Sequence, residues 1–482
     1  MVKNFKDYAE WIEKNQQYLT EISDKIWEFA ELGFQEYKSS DLLIKTLIES
    51  GFNVDKGVAS IPTAFVASYG DGKPTIAVLG EYDALPGLSQ TTDPKRKPLK
   101  EGAAGHGCGH NLLGTAGIAA VLAVKEAIDA GEIKGIVKYY GCPAEEKFNT
   151  KGYMINPGLA FEDIDISITW HPGIVNEIAL QSNTAMNDVY FKFYGKTAHA
   201  AGDPYNGRSA LDAVELMNVG ANYLREHMIS DARIHYVITN GGLAPNVVPA
   251  EAEVHYFVRA PERHQVDELY NRLIKVAEGA VLMTETQLEV DFLSGTYNPL
   301  RNDVVNNVIY EKMKELGPPV FNKEELDFAL ELKKTIPPPD FTGLKKIVPP
   351  DKWEKAMRYH QEPMFPVISR PLGKGMVAAG STDVGDVSWY TPLGEFSTAC
   401  HVTGSPGHSW QNVATSGMSI GHKGMIKAAQ VICLTALEFL NNPELVKKAR
   451  EEFNNTFKEK KYKSPFPEGY KIPFHRFEKV NK

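Results

Sequence analysis

At 482 residues the chain is too long for one ordinary hydrophobic core, which predicts two or three domains. Hydrophobic residues at 43% and aromatics at 10% exclude an intrinsically disordered chain. The 52 basic and 61 acidic residues give a net charge of -9 with no basic block, which argues against a nucleic-acid partner and leaves acidic small molecules open.

The segment Met1 to Glu13 is charged and lacks a signal-peptide core. From Phe5 to Ser50, apolar residues recur at helical spacing (Trp11, Tyr18, Ile22, Ile26, Phe29, then Leu42, Leu43, Leu47, Ile48), which predicts a pair of amphipathic helices with a Gly-Phe turn near Gly33. Strands follow over Thr63–Ser68 and Thr75–Gly80, the second apolar enough to be buried on both faces. It runs into Glu81-Tyr82-Asp83, and acids at the C-terminal end of a buried strand stand where open α/β sheets hold their ligands.

After a polar loop comes Gly105-His106-Gly107-Cys108-Gly109-His110-Asn111. A thiol and an imidazole two residues apart, flanked by glycines, can turn toward one cation. Leu112–Ala130 reads as a helix and Ile136–Tyr140 as a strand ending in Cys142-Pro143-Ala144-Glu145-Glu146. A helical turn over Gly152–Leu159 precedes a strand, Ile164–Trp170, that ends at His171. Three successive strands thus end in acids or a histidine, the layout of a metal site on one rim of a sheet. Residues 188–293 then read β-α-β-β-α-β, the order of a ferredoxin-like module inserted in the first domain. The α/β pattern resumes at Asp303, with a Lys-, Glu- and Pro-rich excursion over Phe321–Pro371, a return through Ser405-Pro406-Gly407-His408-Ser409-Trp410, and a closing helix over Gly424–Leu440. The tail after Lys458, rich in proline, is expected to be extended on the surface.

The longest apolar runs, Gly114–Val124 and Ala428–Leu437, are too short to span a bilayer, and four cysteines at unrelated spacings make no disulfide framework. A cytoplasmic protein without a membrane partner is the expectation. Each motif alone also has a plain reading: a solvated Glu-Glu edge, a satisfied histidine, a turn asparagine. His106 reads as structural, and Cys142, Cys400 and Cys433 as buried and inert. Gly417-Met418-Ser419-Ile420-Gly421 fits a serine-hydrolase elbow, but no apolar strand leads into it.

Gly80 to Gly87, the His106 to Asn111 loop, the Pro143 to Glu146 pair, Trp170-His171-Pro172, Thr197-Ala198-His199-Ala200, Pro245 to Pro249 and Gly407 to Trp410 together resemble the M20 metallopeptidase family, in its amidohydrolase branch. The resemblance implies a catalytic α/β domain with a mixed sheet (1–184 and 299–482) and an inserted ferredoxin-like α+β dimerisation domain (185–298). It implies two divalent metal ions, zinc or manganese, held by Cys108, His110, Glu146, His171 and His408. Glu145 matches the general base and Asp83 the acid that orients a ligand. His199 would act on the partner subunit's site, and Asn246 with Arg259 would hold a substrate carboxylate. Arg208 is a further local cation. Glu81 departs from the family's pattern, which elsewhere has a metal-binding histidine there, and Asn111 stands where many amidohydrolases have aspartate.

The implied substrate is an N-acyl amino acid, best matched by p-aminobenzoyl-glutamate, with dipeptides next. The implied assembly is a homodimer or a heteromer with a related subunit. A non-catalytic auxiliary subunit is the alternative, against which the retained Glu145 speaks.

Overall fold

The computed structural model describes residues 5–155, 160–161, 163–337, 348, 350–371, 373–457 and 461–477. The end of the helical turn read over Gly152–Leu159, the excursion's Pro338, Pro339 and Pro349, and the last residues of the tail lie outside them. The chain divides into two compact units, one of Met1–Gln181, Leu300–Met376 and Val387–Tyr462, the other of Ser182–Pro299, Val377–Asp386 and Lys463–Lys482. The second unit thus takes in two segments beyond the 185–298 span read from the sequence.

The first unit begins with three helices where the sequence predicts two: α1 (Lys6–Lys14), α2 (Gln16–Phe29) and α3 (Tyr37–Glu49). The break between α1 and α2 falls at Asn15, whose side chain donates to the Trp11 carbonyl. The unit's sheet has eight strands in the order β1-β2-β4-β3-β5-β14-β6-β12, these being β1 Asn53–Lys56, β2 Phe65–Asp71, β3 Thr75–Gly80, β4 Gly135–Gly141, β5 Ile166–Gly173, β6 Asn176–Ile178, β12 Ile368–Ser369 and β14 Leu393–Ala399. Its centre, β4-β3-β5-β14, is parallel, and the two strands beyond β4 and the β14–β6 pair are antiparallel. The sheet is therefore mixed. Every residue of β3 is buried, as a strand covered on both faces requires. The strand β14, which no pattern in the sequence singles out, sits beside β5 with Phe396 opposite Trp170.

Helix α4 (His110–Asp129) and the helix Ser419–Asn441 are long and apolar enough to cross a membrane, yet 83% of each apolar window is buried inside the protein. Both belong to one core with Val78, Val137, Tyr139, Ile168 and Phe396. Burial of each such aliphatic side chain contributes about 1.5–3 kcal/mol. Two glycines let α4 lie close on the sheet: a Cβ at Gly117 would fall 2.7 Å from the Tyr139 ring, and one at Gly114 would fall 2.7 Å from the Glu81 carbonyl. That close approach brings His110, the first residue of α4, to the strand ends.

The excursion is no bare loop. Its helix Lys323–Lys333 and residues Met364 and Phe365 share a small core with Val402, Ala414 and Ile420, beside the loop that carries His408. Ser419 opens a helix and is preceded by another, Trp410–Ser416, so the strand that a nucleophile elbow requires is missing.

The second unit carries β8 (Ala185–Tyr194), β9 (Arg233–Asn240), β10 (Glu251–Ala260) and β11 (Gln287–Thr296) in an antiparallel sheet of order β11-β8-β10-β9. Helices Ala210–Leu224 and Arg263–Thr284 pack on it around Val189, Phe191, Val254 and Tyr256. This is the ferredoxin-like arrangement. A short parallel pair, β7 (Ser182–Asn183) with β13 (Val377–Ala378), ties the segment after residue 376 to the start of the unit. The tail is more than a surface thread: Arg476 lies 4.0 Å over the Tyr190 ring and donates to Asp291 at 2.8 Å, and Tyr470 donates to the Leu293 carbonyl at 2.5 Å. The outer strand β9 leaves Tyr236, Val237 and Ile238 exposed, and Leu216, Val219 and Tyr223 on the helix Ala210–Leu224 are exposed as well.

Candidate metal centre

The parallel order β4-β3-β5 gathers three strand ends side by side, and α4 starts among them. Asp83 follows β3, Glu145 and Glu146 follow β4, and His171 lies near the end of β5. Cys108 Sγ stands 3.3 Å from His171 Nε2. The His110 and His171 rings meet edge to face with centroids 5.8 Å apart. His408 Nε2 lies 3.4 Å from Glu146 Oε2. Three overlapping sets, Cys108 with His110 and His171, Cys108 with Glu146 and His408, and Glu81 with His110 and Glu145, each bring their ligand atoms within 4.8 Å of one another. The five residues matched to metal ligands therefore stand together in one chain, with Asp83 and Glu145 beside them.

The hydrogen bonds around the cluster select particular nitrogens. His110 Nδ1 donates to Asp83 Oδ1 at 2.9 Å, and His171 Nδ1 donates to the Pro172 carbonyl at 2.8 Å. In both rings Nε2 is left to face the cluster. The Glu146 amide donates to the other oxygen of Asp83 at 3.0 Å, so Asp83 joins the imidazole to the carboxylate loop. Glu81, Asp83 and His110 are at most 2% exposed. Burial opposes charge on each carboxylate. Lys151 and then His110 nevertheless hold Glu81 below its usual range, and His110 does the same for Asp83. Burial likewise opposes charge on His110, and Cys108 and Asp83 overcome it to raise that imidazole. Burial pushes the Cys108 thiol up, and Glu146 adds to the effect.

Does this donor set suit a metal? Two of its buried atoms, His110 Nε2 and Glu146 Oε1, have no hydrogen-bond partner among the described residues. Orphaned polar atoms inside a protein are costly unless something binds them. The thiol, imidazoles and carboxylates of the three overlapping sets, each set within 4.8 Å, form a borderline donor set suited to divalent transition metals, and ion binding would displace protons from Cys108 and His110. The residues fit.

Some neighbours of the cluster carry no signature along the chain. Lys151 is completely buried and pairs with Glu81 at 2.6 Å, while the other Glu81 oxygen lies 3.2 Å from His110 Nε2 without the alignment of a hydrogen bond. The departure at Glu81 was the only signal: a buried acid outside the family's pattern calls for a buried base. His401 is buried, bonded through Nδ1 to Thr415 at 2.8 Å, and lowered to about 3 by burial and by His171. His106 reaches the Ile26 carbonyl at 3.0 Å, a structural role, and Asn111 donates to Ser23 and to the Ser416 carbonyl at 3.0 Å each. The four cysteines form no disulfide.

The remaining candidates belong to the second unit. His199 is exposed, and its Nδ1 accepts the Ala201 and Gly202 amides at 3.2 and 2.9 Å, which leaves the ring N–H on Nε2. Asn246 lies beside it, its carbonyl accepting the Ala200 amide at 3.0 Å. Arg259 is elsewhere, near the end of β10, donating to Ser381 at 2.9 Å. Asn246 precedes that strand, and the eight steps from Glu251 to Arg259 span about 27 Å at 3.4 Å per residue. Within one chain, then, Asn246 and Arg259 stand toward opposite ends of β10. Arg208 is also spoken for, bound to Glu285 at 2.9 Å.

Comparison with known proteins agrees with the geometry. The peptidase dimerisation domain of the M20 family matches residues 184–282. The chain is 41% identical over 462 residues to one of the subunits of p-aminobenzoyl-glutamate hydrolase from Escherichia coli strain K12, covering 95% of this chain and 96% of that one. It is 28% identical to the Xaa-Arg dipeptidase of Mus musculus, covering 92% and 91%. Among solved structures, a dinuclear metal-binding peptidase of the M20 family from Bacillus subtilis superposes with a TM-score of 0.57 at 16% identity, covering 89% of this chain and 99% of that one, a likeness of fold. With such identity along almost its whole length, and with a metal-type donor cluster at the ends of its parallel strands, the chain belongs to the M20 family of metallo-hydrolases.

Proposed function

We propose that the chain hydrolyses the amide bond of N-acyl amino acids, with p-aminobenzoyl-glutamate, cleaved to p-aminobenzoate and glutamate, as the substrate. The observation that carries this reading is the clustering of Cys108, His110, His171, Glu146 and His408 around Glu145, in a chain 41% identical to a p-aminobenzoyl-glutamate hydrolase component. In this reading Cys108, His110, Glu146, His171 and His408 hold two divalent cations, zinc or manganese. Such ions supply Lewis acidity, acidifying water and drawing charge from the scissile carbonyl.

The chain's own residues do the rest. Glu145 takes the proton of the attacking water and passes it to the leaving amine nitrogen. Asp83 accepts a hydrogen bond from the Nδ1–H of His110, which turns Nε2 toward the cluster, where a bound cation would displace its proton. The Nε2–H of His199, fixed by two backbone amides on Nδ1, is a donor for the oxyanion of a partner chain's site. Arg259, half-buried in β10, and Asn246 offer separate polar contacts to a substrate carboxylate, one from each protomer. The exposed β9 edge and the apolar residues of the helix beside it supply a surface for the second protomer. The Escherichia coli relative is named as one subunit of its hydrolase, which extends the proposal to a heteromer with a related chain.

The test is elemental analysis alongside hydrolysis of p-aminobenzoyl-glutamate, before and after chelation and add-back of manganese or zinc. About two metals per chain, with turnover that falls on chelation and returns on add-back, is the expected result. Metal without turnover on this or any N-acyl amino acid overturns the proposal in favour of a non-catalytic auxiliary chain.

A further inference from the structure

The Gly-Phe turn between α2 and α3, unassigned by the reaction, touches two of the three strand ends. It is a tight turn: Ala30 and Phe34, neither a glycine, stand at φ 41° and 65° in the left-handed region. Such conformations persist only where the surroundings hold them. Glu31 ties the turn to α3, its carboxylate accepting the Lys38 and Ser39 amides at 3.1 and 2.8 Å, and its carbonyl accepts the Ala84 amide at 2.8 Å. Leu32 bridges Ala84 in parallel. One arm of the turn is therefore bonded to the residue after Asp83.

The other arm reaches the loop after β4. Glu36 is fully buried, its Oε1 accepting the Ala144 amide at 2.7 Å and its Oε2 the Thr63 hydroxyl at 3.2 Å. Ala144 stands at φ 57°, immediately before Glu145. A Cβ on Gly33 would lie 3.0 Å from the Cα and Cβ of Ala144, so only glycine lets the turn come this near. The Phe34 and Phe148 rings meet at 5.5 Å and close the contact on the far side of the loop. Burial, followed by the charge of Asp83, raises the Glu36 carboxyl to about 8, so it is a neutral acid at neutral pH, close in shape and bonding to glutamine.

We propose that the turn over Ala30–Glu36 is a bracket that fixes the spacing between Asp83 and the Glu145–Glu146 loop, with Glu36 as the positioning residue of the general base. Asp83 already binds the Glu146 amide at 3.0 Å, so the carboxylate loop is held at two amides from two directions, Ala144 by the bracket and Glu146 by Asp83. Glu145 lies between the two fixed points. A base must stand within hydrogen-bond reach of its proton, and a displacement of an ångström is costly. The inference rests on the reading of Glu145 as base.

The experiment compares Glu36→Gln and Glu36→Ala in the full-length, metal-loaded protein. It measures kcat and KM on p-aminobenzoyl-glutamate, metal content, and amide exchange of the peptide covering Gly141 to Phe148. Glu36→Gln keeps the acceptor for Ala144 and should stay within about 3-fold of the parent in kcat. Glu36→Ala should lose about 100-fold in kcat with KM little changed and metal retained, and its Ala144–Glu146 amides should exchange at least about 10-fold faster. Unchanged kcat and exchange in Glu36→Ala overturn the proposal. So does a Glu36→Gln variant as impaired as Glu36→Ala, because the charge of the carboxyl would then matter and not its acceptor. If Glu36→Ala does not fold, Gly33→Ala pushes on Ala144 from the same bracket and should give the same kcat loss with metal retained; full activity there overturns the proposal. A parent protein with no turnover defeats the assigned reaction alone, and the exchange measurement still decides on the bracket.

Discussion

The strand-end cluster and the His199–Asn246 loops face opposite physical situations. In the first, Glu81, Asp83 and His110 are buried, with Glu81 paired to Lys151 and Asp83 to His110 within the same unit. In the second, His199 and Asn246 are exposed and held through the Ala200, Ala201 and Gly202 amides. The first cluster is organised internally, whereas the second leaves its histidine and asparagine in water. Buried charges must be satisfied internally or they destabilise the fold, while an exposed group can stay idle in water until a partner arrives.

The comparison is tested most strongly on the buried side. Glu145→Gln should leave metal content intact and lower kcat by about 10³-fold; stopped assays with elemental analysis check both, and unchanged turnover would remove Glu145 as the base. The exposed side gives a sharper, smaller signal. His199→Ala should lower kcat by about 10²-fold, and mixing it with Glu145→Gln under subunit exchange should restore about a quarter of the parent activity if each site borrows the other chain's histidine in a symmetric dimer. No recovery on mixing, with exchange verified, would place His199 in its own chain's site.

Next in size is Arg259→Ala. It should raise KM for carboxylate-bearing substrates by about 10-fold, a loss of about 1.4 kcal/mol, and leave the corresponding amides nearly unaffected; equal effects on both would count against a carboxylate contact. The smallest effect concerns pH. Glu36 titrates at about 8 in the folded chain, up from 4.5, so the stability it contributes is complete below pH 4.5 and is lost as pH rises through about 8. Denaturant midpoints of the parent should therefore fall between pH 5 and 9 more than those of Glu36→Gln, and parallel curves would show that the carboxyl ionises freely.

Much of this site could be read along the chain because its chemistry is local in sequence. Cys108 and His110 share one glycine loop, Glu145 and Glu146 are adjacent, and Asp83, the Glu145–Glu146 pair and His171 each stand at or just beyond the end of an apolar strand. The inserted β-α-β-β-α-β module announces itself through the order of its elements, and the sheet order β11-β8-β10-β9 agrees. What escaped was long-range. Lys151 as the partner of Glu81 and Glu36 as the partner of Ala144 link residues 70 and 108 positions apart, and no period or motif in a sequence encodes that pairing. The separation of Arg259 from Asn246 has the same origin, since both lie near one strand in sequence and toward opposite ends of it in space.

Alone, then, the sequence determined the kinds of groups and the elements that carry them: apolar periodicity fixes which faces are buried, and glycine spacing fixes where a thiol and an imidazole can converge. Only the tertiary structure decided which strand ends stand side by side, which buried charges cancel, and which nitrogen of each imidazole faces the cluster. Those depend on sheet order and on contacts between distant segments, set by the packing of α4 and the Ser419–Asn441 helix into one core and not by any stretch of residues taken by itself.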